Sequence, residues 1–181
     1  PLAKYTGAGV IFGATGGVME AALRTAHYVL TGKEHEAIKF EAVRGMDGLK
    51  EAEININGNV IKVAIASGMK NAKVLMDQIR DGKSPYTFIE IMGCPGGCIN
   101  GGGQPYVKPS MLPNEDLDIM ETYREKRAQA LYSEDERQAL RQSHNNTQIK
   151  ALYDNYLGKP NSHRAHELLH THYASRERFI K

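Results

Sequence analysis

The chain has 181 residues, 41% of them hydrophobic and 24% charged, with 23 Lys and Arg against 21 Asp and Glu for a formal net charge of +2. That is ordinary globular composition for one domain, or one domain with an appendage, and the near-balance of charge gives no electrostatic drive toward nucleic acid or an anionic membrane. No apolar run approaches the ~18 residues of a membrane span, and the N-terminus lacks the basic-then-apolar profile of a signal peptide.

In chain order, Gly9-Val10-Ile11-Phe12 reads as a short apolar strand running into Gly13-Ala14-Thr15-Gly16-Gly17. A helix follows, with Met19, Ala22, Leu23, Ala26 and Leu30 at helical spacing and Gly32 where a C-terminal cap belongs. Ile38 to Val43 reads as a strand. Glu53–Ile56 and Val60–Ile65 alternate around Asn57-Gly58-Asn59, the strongest short hairpin signal. Met69 to Asp81 carries Met69, Ala72, Leu75, Met76 and Ile79 on one helical face and stops at Gly82. Phe88–Met92 is a final strand, and the strand–helix–strand order before it predicts a parallel crossover.

From Pro109 onward the sequence is polar and helical. Asn114 with Glu115 and Asp116 offers an N-cap for a helix to about Leu131, and Ser133-Glu134-Asp135-Glu136 has the pattern of a capping box for another. Asn145 or Asn146 can cap a third helix, closed by Gly158-Lys159-Pro160, and a short fourth runs from about His163 to His170. The fold class is therefore α/β, a mixed and partly parallel sheet lobe with flanking helices followed by a helical C-terminal tail, divided at 1–108 and 109–181. The first residue is Pro rather than Met, which points to a processed chain or a piece of a longer one.

Three stretches can carry chemistry. The two cysteines frame Cys94-Pro95-Gly96-Gly97-Cys98, followed by Gly101-Gly102-Gly103. Thiols four residues apart among glycines let backbone approach a bulky inorganic group and turn N–H groups toward its sulfurs. The bland alternative is a helix N-terminus with two buried thiols, and zinc fits less well because no second cysteine pair exists. An iron–sulfur cubane generally takes four protein ligands, so two have to come from elsewhere. Next, Gly13–Gly17 can present N–H groups to an anion or simply allow close packing. It lacks both dinucleotide spacing and a Walker lysine. Both glycine clusters leave the carboxyl ends of expected strands, so they are expected to face one concavity, with the strands ending at Phe12 and Met92 parallel in one sheet. Lastly, His166-Glu167-Leu168-Leu169-His170 has the form of a zinc-protease helix. No third ligand follows at suitable spacing, so no catalytic zinc is expected and Leu168 or Leu169 should be buried.

Phe12–Arg24 and Glu90–Pro105, with the cysteine–glycine string at the centre of the second, resemble the iron-iron hydrogenases. Ser143–Tyr153 and Ala165–Tyr173 are similar to the small-subunit region of the same family. The resemblance implies the C-terminal lobe of an H-cluster domain, whose cofactor is a 4Fe-4S cubane joined through a cysteine to a diiron subcluster, and whose activity is reversible reduction of two protons to hydrogen. It implies that Cys94 ligates the cubane and that Cys98 ligates the cubane and bridges to the diiron unit. Phe12 and Met92 would be apolar shields at the catalytic position, and Gly13, Thr15, Gly16 and Gly17 a loop closing the pocket. The family's two upstream cysteine motifs are absent here, so the resemblance implies a missing N-terminal half, or a partner subunit, and an inactive isolated fragment. It further implies ferredoxin or an NAD(P)H-linked subunit as electron partner, and a cytoplasmic setting because the tail is continuous with the lobe. A hydrogenase-like iron–sulfur assembly protein without hydrogenase activity is the alternative.

Overall fold

The computed structural model describes residues 4–34, 43–45, 48–108 and 117–175, the backbone alone for 117–122. It has two units, Tyr5–Ser143 and a second built from Lys4 together with the segment from His144 onward.

In the first unit a three-stranded sheet lies in the order β1-β2-β3. Strand β1 (Leu49–Ile56) pairs antiparallel with β2 (Asn59–Ser67), and β2 pairs parallel with β3 (Phe88–Met92). The hairpin turn takes positive φ at both Asn57 and Gly58, and Asn55 Oδ1 accepts the Gly58 N–H at 2.9 Å. That is the geometry for which Asn-Gly is selected. Alternation along β2 sends Val63 and Ile65 to one face and Ala64 and Ala66 to the other. Helix α2 (Gly17–Thr31) lays Met19 and Leu23 against Val63, Ile65, Ile54 and Ile56. On the opposite face, α3 (Met69–Arg80) sets Ala72 and Leu75 against Ala64 and Ala66. The α2 C-terminus stops at Gly32 in the left-handed conformation. The expected strand Ile38–Val43 lies, apart from Val43, outside the described residues.

Two expectations are corrected. Gly9–Phe12 is not a strand: Gly7–Val10 forms α1 and Ile11–Gly13 a 3-10 turn. Thr6 caps α1 by accepting the Gly9 N–H, and the Gly7 and Ala8 N–H groups donate to Leu140 and Arg141 carbonyls. This capping and docking outweigh the strand preference of Val10, Ile11 and Phe12. The sheet therefore contains no strand ending at Phe12, and its parallel pair is β2–β3. The second correction concerns the helix expected to start at Ser133. Helix α4 runs unbroken over Leu117–Arg137, because no Gly or Pro interrupts it and the Asp135 carboxylate is engaged by arginines rather than by a helix N-terminus.

That carboxylate centres a buried ion network. Arg24 forks onto Asp135 with two bonds of 2.8 Å and reaches Glu20 at 2.6 Å, while Arg44 also binds Glu20 and Arg141 binds Asp135. Glu20 and Asp135 are fully buried and Arg24 is 1% exposed. Burial opposes the charge of Arg24, but Asp135 and Glu20 more than offset it and raise its pKa. Burial likewise opposes the Asp135 charge, and Arg24 and Arg141 overcome it, holding the carboxyl below its ordinary range. The network ties α2 to α4 and to the segment after it.

In the second unit, Asn146 caps α5 (Thr147–Leu152) by accepting the Gln148 and Ile149 N–H groups, and its amide donates to the Lys4 carbonyl. Helix α5 passes into a π turn over Tyr153–Leu157, ended at Gly158. Ser162 caps α6 (His163–Leu169).

Candidate functional site

The carboxyl end of β3 delivers Cys94–Cys98, and the 3-10 turn after α1 delivers Gly13–Gly17. The two meet although only one of them follows a strand. The Thr15 N–H donates to the Gly96 carbonyl at 3.0 Å. Gly97 has φ +96, and a Cβ on it would stand 2.7 Å from the Gly13 carbonyl oxygen and 2.8 Å from the Thr15 nitrogen. A side chain at 97 would drive the turns apart, so glycine is required both by conformation and by proximity. The expected common face of the two glycine clusters is present, and the strand geometry offered for it is not.

A carboxylate locks the contact from below. Glu90 is 5% exposed and accepts the Gly16 and Met19 N–H groups, both at 2.6 Å. It neutralises the orphan donors at the α2 N-terminus and holds the loop to the strand that leads into Cys94. Burial raises the Glu90 pKa, against the lowering effect of those two N–H bonds and of Lys50. Lys50 is itself spent on the Val43 and Gly45 carbonyls. Gly16, at φ +90, supplies the left-handed turn from which α2 starts.

Cys94 and Cys98 are both exposed and not disulfide-bonded. The turn between and after them brings the Cys94 thiol close to Gly101: a Cβ on Gly101 would lie 3.8 Å from Cys94 Sγ and 3.7 Å from the Cys98 Cα. A Cβ on Gly93, Gly102 or Gly103 would meet nothing within 4 Å, so the glycines leave open space around the thiols. Soft donors in a roomy glycine cradle fit an iron–sulfur group, and two thiols fit half of its ligand set. Among the described residues no group of three or more His, Cys, Asp or Glu is arranged to hold a metal ion. Phe12 is 46% exposed, Met92 and Gly13 are partly exposed, and Thr15, Gly16 and Gly17 are buried. The Met92 carbonyl is pinned by the Gly68 N–H at 2.8 Å.

Sequence reasoning missed Glu90 as a strut, although a lone acid inside Phe-Ile-Glu-Ile-Met on a buried strand was a usable signal. It also missed Arg127 on α4, which donates to the Ile99 carbonyl at 2.9 Å and the Pro105 carbonyl at 2.7 Å. Nothing in the sequence marks Arg127 among its charged neighbours.

Away from this site, the His166 and His170 rings meet edge to face with centroids 4.4 Å apart and Nδ1 atoms at 2.5 Å, and the His172 ring lies 5.7 Å from that of His166. Leu168 and Leu169 are 52% and 55% exposed, contrary to the expected burial. Small Ala165 is the residue that α6 buries.

The geometry defines a mixed α/β lobe that carries two exposed thiols on one glycine turn and packs that turn against another. The chain belongs to the iron-only hydrogenase family: residues 1–102 match "Iron only hydrogenase large subunit, C-terminal domain" and residues 121–176 match "Iron hydrogenase small subunit". It is 47% identical over 178 residues to "NADP-reducing hydrogenase subunit HndD" of Solidesulfovibrio fructosivorans, a match covering 98% of this chain and 28% of that protein. Among solved structures, a variant of [FeFe]-hydrogenase HydA1 from Chlamydomonas reinhardtii superposes with a TM-score of 0.63 at 41% identity, covering 90% of this chain and 45% of the other. "Cytosolic Fe-S cluster assembly factor narfl" of Danio rerio is more distant, 31% identical over 168 residues, covering 91% of this chain and 37% of that protein. The chain thus corresponds to a C-terminal region of longer relatives. No helix among the described residues is long and apolar enough to cross a membrane.

Proposed function

We propose that this chain is the C-terminal part of an FeFe hydrogenase catalysing reversible reduction of protons to hydrogen, and that it supplies two of the cysteine ligands of the H-cluster. The observation that carries the reading is the placement of Cys94 and Cys98, exposed and unbridged, on one glycine-rich turn that is braced by a second glycine turn. Residues 1–108 are the lobe and 109–181 the small-subunit-like tail, a division supported by the family matches.

When bound, the cluster supplies electrons and the open iron position at which protons are reduced. The chain's own residues set its surroundings. Cys94 would hold the cubane, and Cys98 would hold both the cubane and the diiron unit. Phe12 and Met92 present apolar surface that keeps water away. Gly13, Thr15, Gly16 and Gly17 close one wall, and the Glu90 carboxylate fixes that wall to the cysteine-bearing strand. Such supporting contacts typically govern metal affinity as strongly as they govern ligand orientation.

The remaining ligands come from another part of the same protein or from a partner subunit. Electrons are exchanged with ferredoxin or an NAD(P)H-linked subunit, and the name of the Solidesulfovibrio relative, an NADP-reducing hydrogenase subunit, supports the second of these. The setting is cytoplasmic, and the paired histidines of α6 hold no catalytic zinc. The alternative, an iron–sulfur assembly protein sharing this lobe, is disfavoured by its lower identity. Reconstitution of the 181-residue chain with iron and sulfide tests the ligand count: fewer than four iron atoms retained per chain and no sustained hydrogen production are expected. Four retained iron atoms with turnover would show that the lobe suffices alone and contradict the shared-ligand reading.

A further inference from the structure

Between Cys98 and Tyr106 the chain runs through three consecutive glycines, the stretch with the most conformational freedom to lose on ordering. Its first residues, Cys98–Asn100, make one 3-10 turn, with the Asn100 N–H on the Gly97 carbonyl at 3.1 Å and the Gly101 N–H on the Cys98 carbonyl at 3.0 Å, and the glycines after it add a long 3.4 Å bond from the Gln104 N–H to the Gly101 carbonyl. This stretch walls a cavity of about 310 Å³ that Arg127 also lines. Left to itself, a loop of this composition would not hold the adjacent thiol in one position.

The restraint comes from α4. One Arg127 nitrogen takes the carbonyl of Ile99, the residue next to Cys98, and the other takes the carbonyl of Pro105 at the far end of the loop. The planar guanidinium thus closes the loop as a brace of fixed width, because it donates from two separate nitrogens in a rigid fork, whereas the three donors of a lysine ammonium all leave one nitrogen and set no width. Ile99 is 4% exposed and packs with Ala128, the residue after Arg127, and with Ala14 of the other glycine turn. One turn of α4 therefore provides both the apolar seat and the polar clasp. Arg127 lies within residues 121–176, matched by the small-subunit family model, whereas the loop that it grips follows the cysteines and begins inside the large-subunit match, which ends at residue 102.

We propose that Arg127 is a positioning residue for Cys98, and that the small-subunit-like segment acts through it to keep the thiolate turn in ligating geometry. This rests on the assignment of Cys98 as a cluster ligand. The test uses the full-length protein carrying its iron–sulfur cubane, as wild type, Arg127→Lys, Arg127→Met and Cys98→Ser. Three quantities are read: iron release to a chelator, the electron paramagnetic resonance signal of the reduced cubane, and thermal unfolding of the metal-free protein.

Both Arg127 variants are expected to release iron about tenfold faster or more, in line with the loss of a supporting contact to a metal ligand. Their reduced-cubane signal should broaden as the thiolate samples several positions, with metal-free unfolding close to wild type. Arg127→Lys should resemble Arg127→Met, because charge without the fork does not brace the loop. Wild-type release rates and line shape in Arg127→Met would overturn the proposal. So would rescue by Lys, or a collapse of metal-free stability in both variants, which would make the clasp a fold contact only. If Cys98→Ser also retained iron and line shape unchanged, the ligand assignment itself would fall, and the Arg127 role with it.

Discussion

The two glycine turns around Cys94 and Cys98 are fixed by opposite chemistry. Gly13–Gly17 is mostly buried and gripped from below by the Glu90 carboxylate, which accepts the Gly16 N–H and, just beyond the turn, the Met19 N–H. Gly101–Gly103 borders open space and is held from the side by the Arg127 guanidinium, which donates to carbonyls at its ends. The first turn serves as a wall, and a wall is best preorganised in the fold. The second must leave room for a bulky group while keeping a thiol in place, so its restraint acts at the ends and leaves the middle bare. The same residue type serves both purposes, and the charged partner decides which.

The comparison breaks most severely if the frame behind both turns is removed. Asp135→Ala removes the carboxylate on which buried Arg24 forks and which Arg141 binds, leaving Arg24 with Glu20 alone of the two buried acids, and should cost about 3–5 kcal/mol in denaturant unfolding, with both turns loosened together. Gly97→Ala acts at the contact between the turns, and left-handed strain plus overpacking should cost about 2–4 kcal/mol by the same measurement. It should also abolish cluster loading more completely than its stability loss accounts for.

Glu90→Gln is more selective. It replaces one acceptor oxygen with an NH2 facing the Gly16 or Met19 N–H and should cost about 1–3 kcal/mol, freeing the first turn while the Arg127 brace persists. The two buried carboxylates also titrate in opposite senses. The Asp135 pKa is lowered by its arginines, so its contribution is present above the ordinary aspartate range and is lost as pH falls through the depressed folded value. The Glu90 pKa is raised by burial, so its contribution is complete below the ordinary glutamate range and is lost as pH rises through the elevated folded value. Unfolding free energies against pH for wild type minus Asp135→Asn and wild type minus Glu90→Gln should therefore slope in opposite directions between pH 3 and pH 7. Slopes of the same sign would remove the distinction. The smallest effect belongs to the tail, where Asn146→Ala removes the α5 cap and should cost about 1 kcal/mol without changing either turn, which hydrogen exchange at the Thr15 and Gly101 amides would report.

Elements with local signals were legible in the sequence. Asn57-Gly58 set the hairpin, Gly32 and Gly82 marked helix ends, and the 3.6-residue spacing of Ala72 and Leu75 set the buried face of α3. Cys94 and Cys98 stood out because their spacing among glycines serves few other purposes. What failed was decided by tertiary contacts. Val10-Ile11-Phe12 has the residues of a strand, yet Thr6 capping and docking on Leu140 and Arg141 turn it helical. Ser133-Glu134-Asp135-Glu136 has the letters of a capping box, but Arg24, more than a hundred positions earlier, claims Asp135. Leu168 and Leu169 looked like core residues, whereas α6 buries Ala165. Glu90 and Arg127 act over 74 and 28 positions, distances at which no pattern within one element gives a warning.

The central claim is that Cys94 and Cys98 hold the H-cluster with distinct roles, and infrared spectroscopy of the full-length protein measures it most directly, since the diiron unit that the family resemblance implies would bear carbon monoxide and cyanide, which absorb where no protein group does. Wild type should show these bands. Cys94→Ser should keep them at reduced intensity as cubane loading falls, and Cys98→Ser, which removes the bridging thiolate, should lose them entirely. Undiminished bands in Cys98→Ser, or none in wild type prepared with its cluster-assembly machinery, would contradict the account.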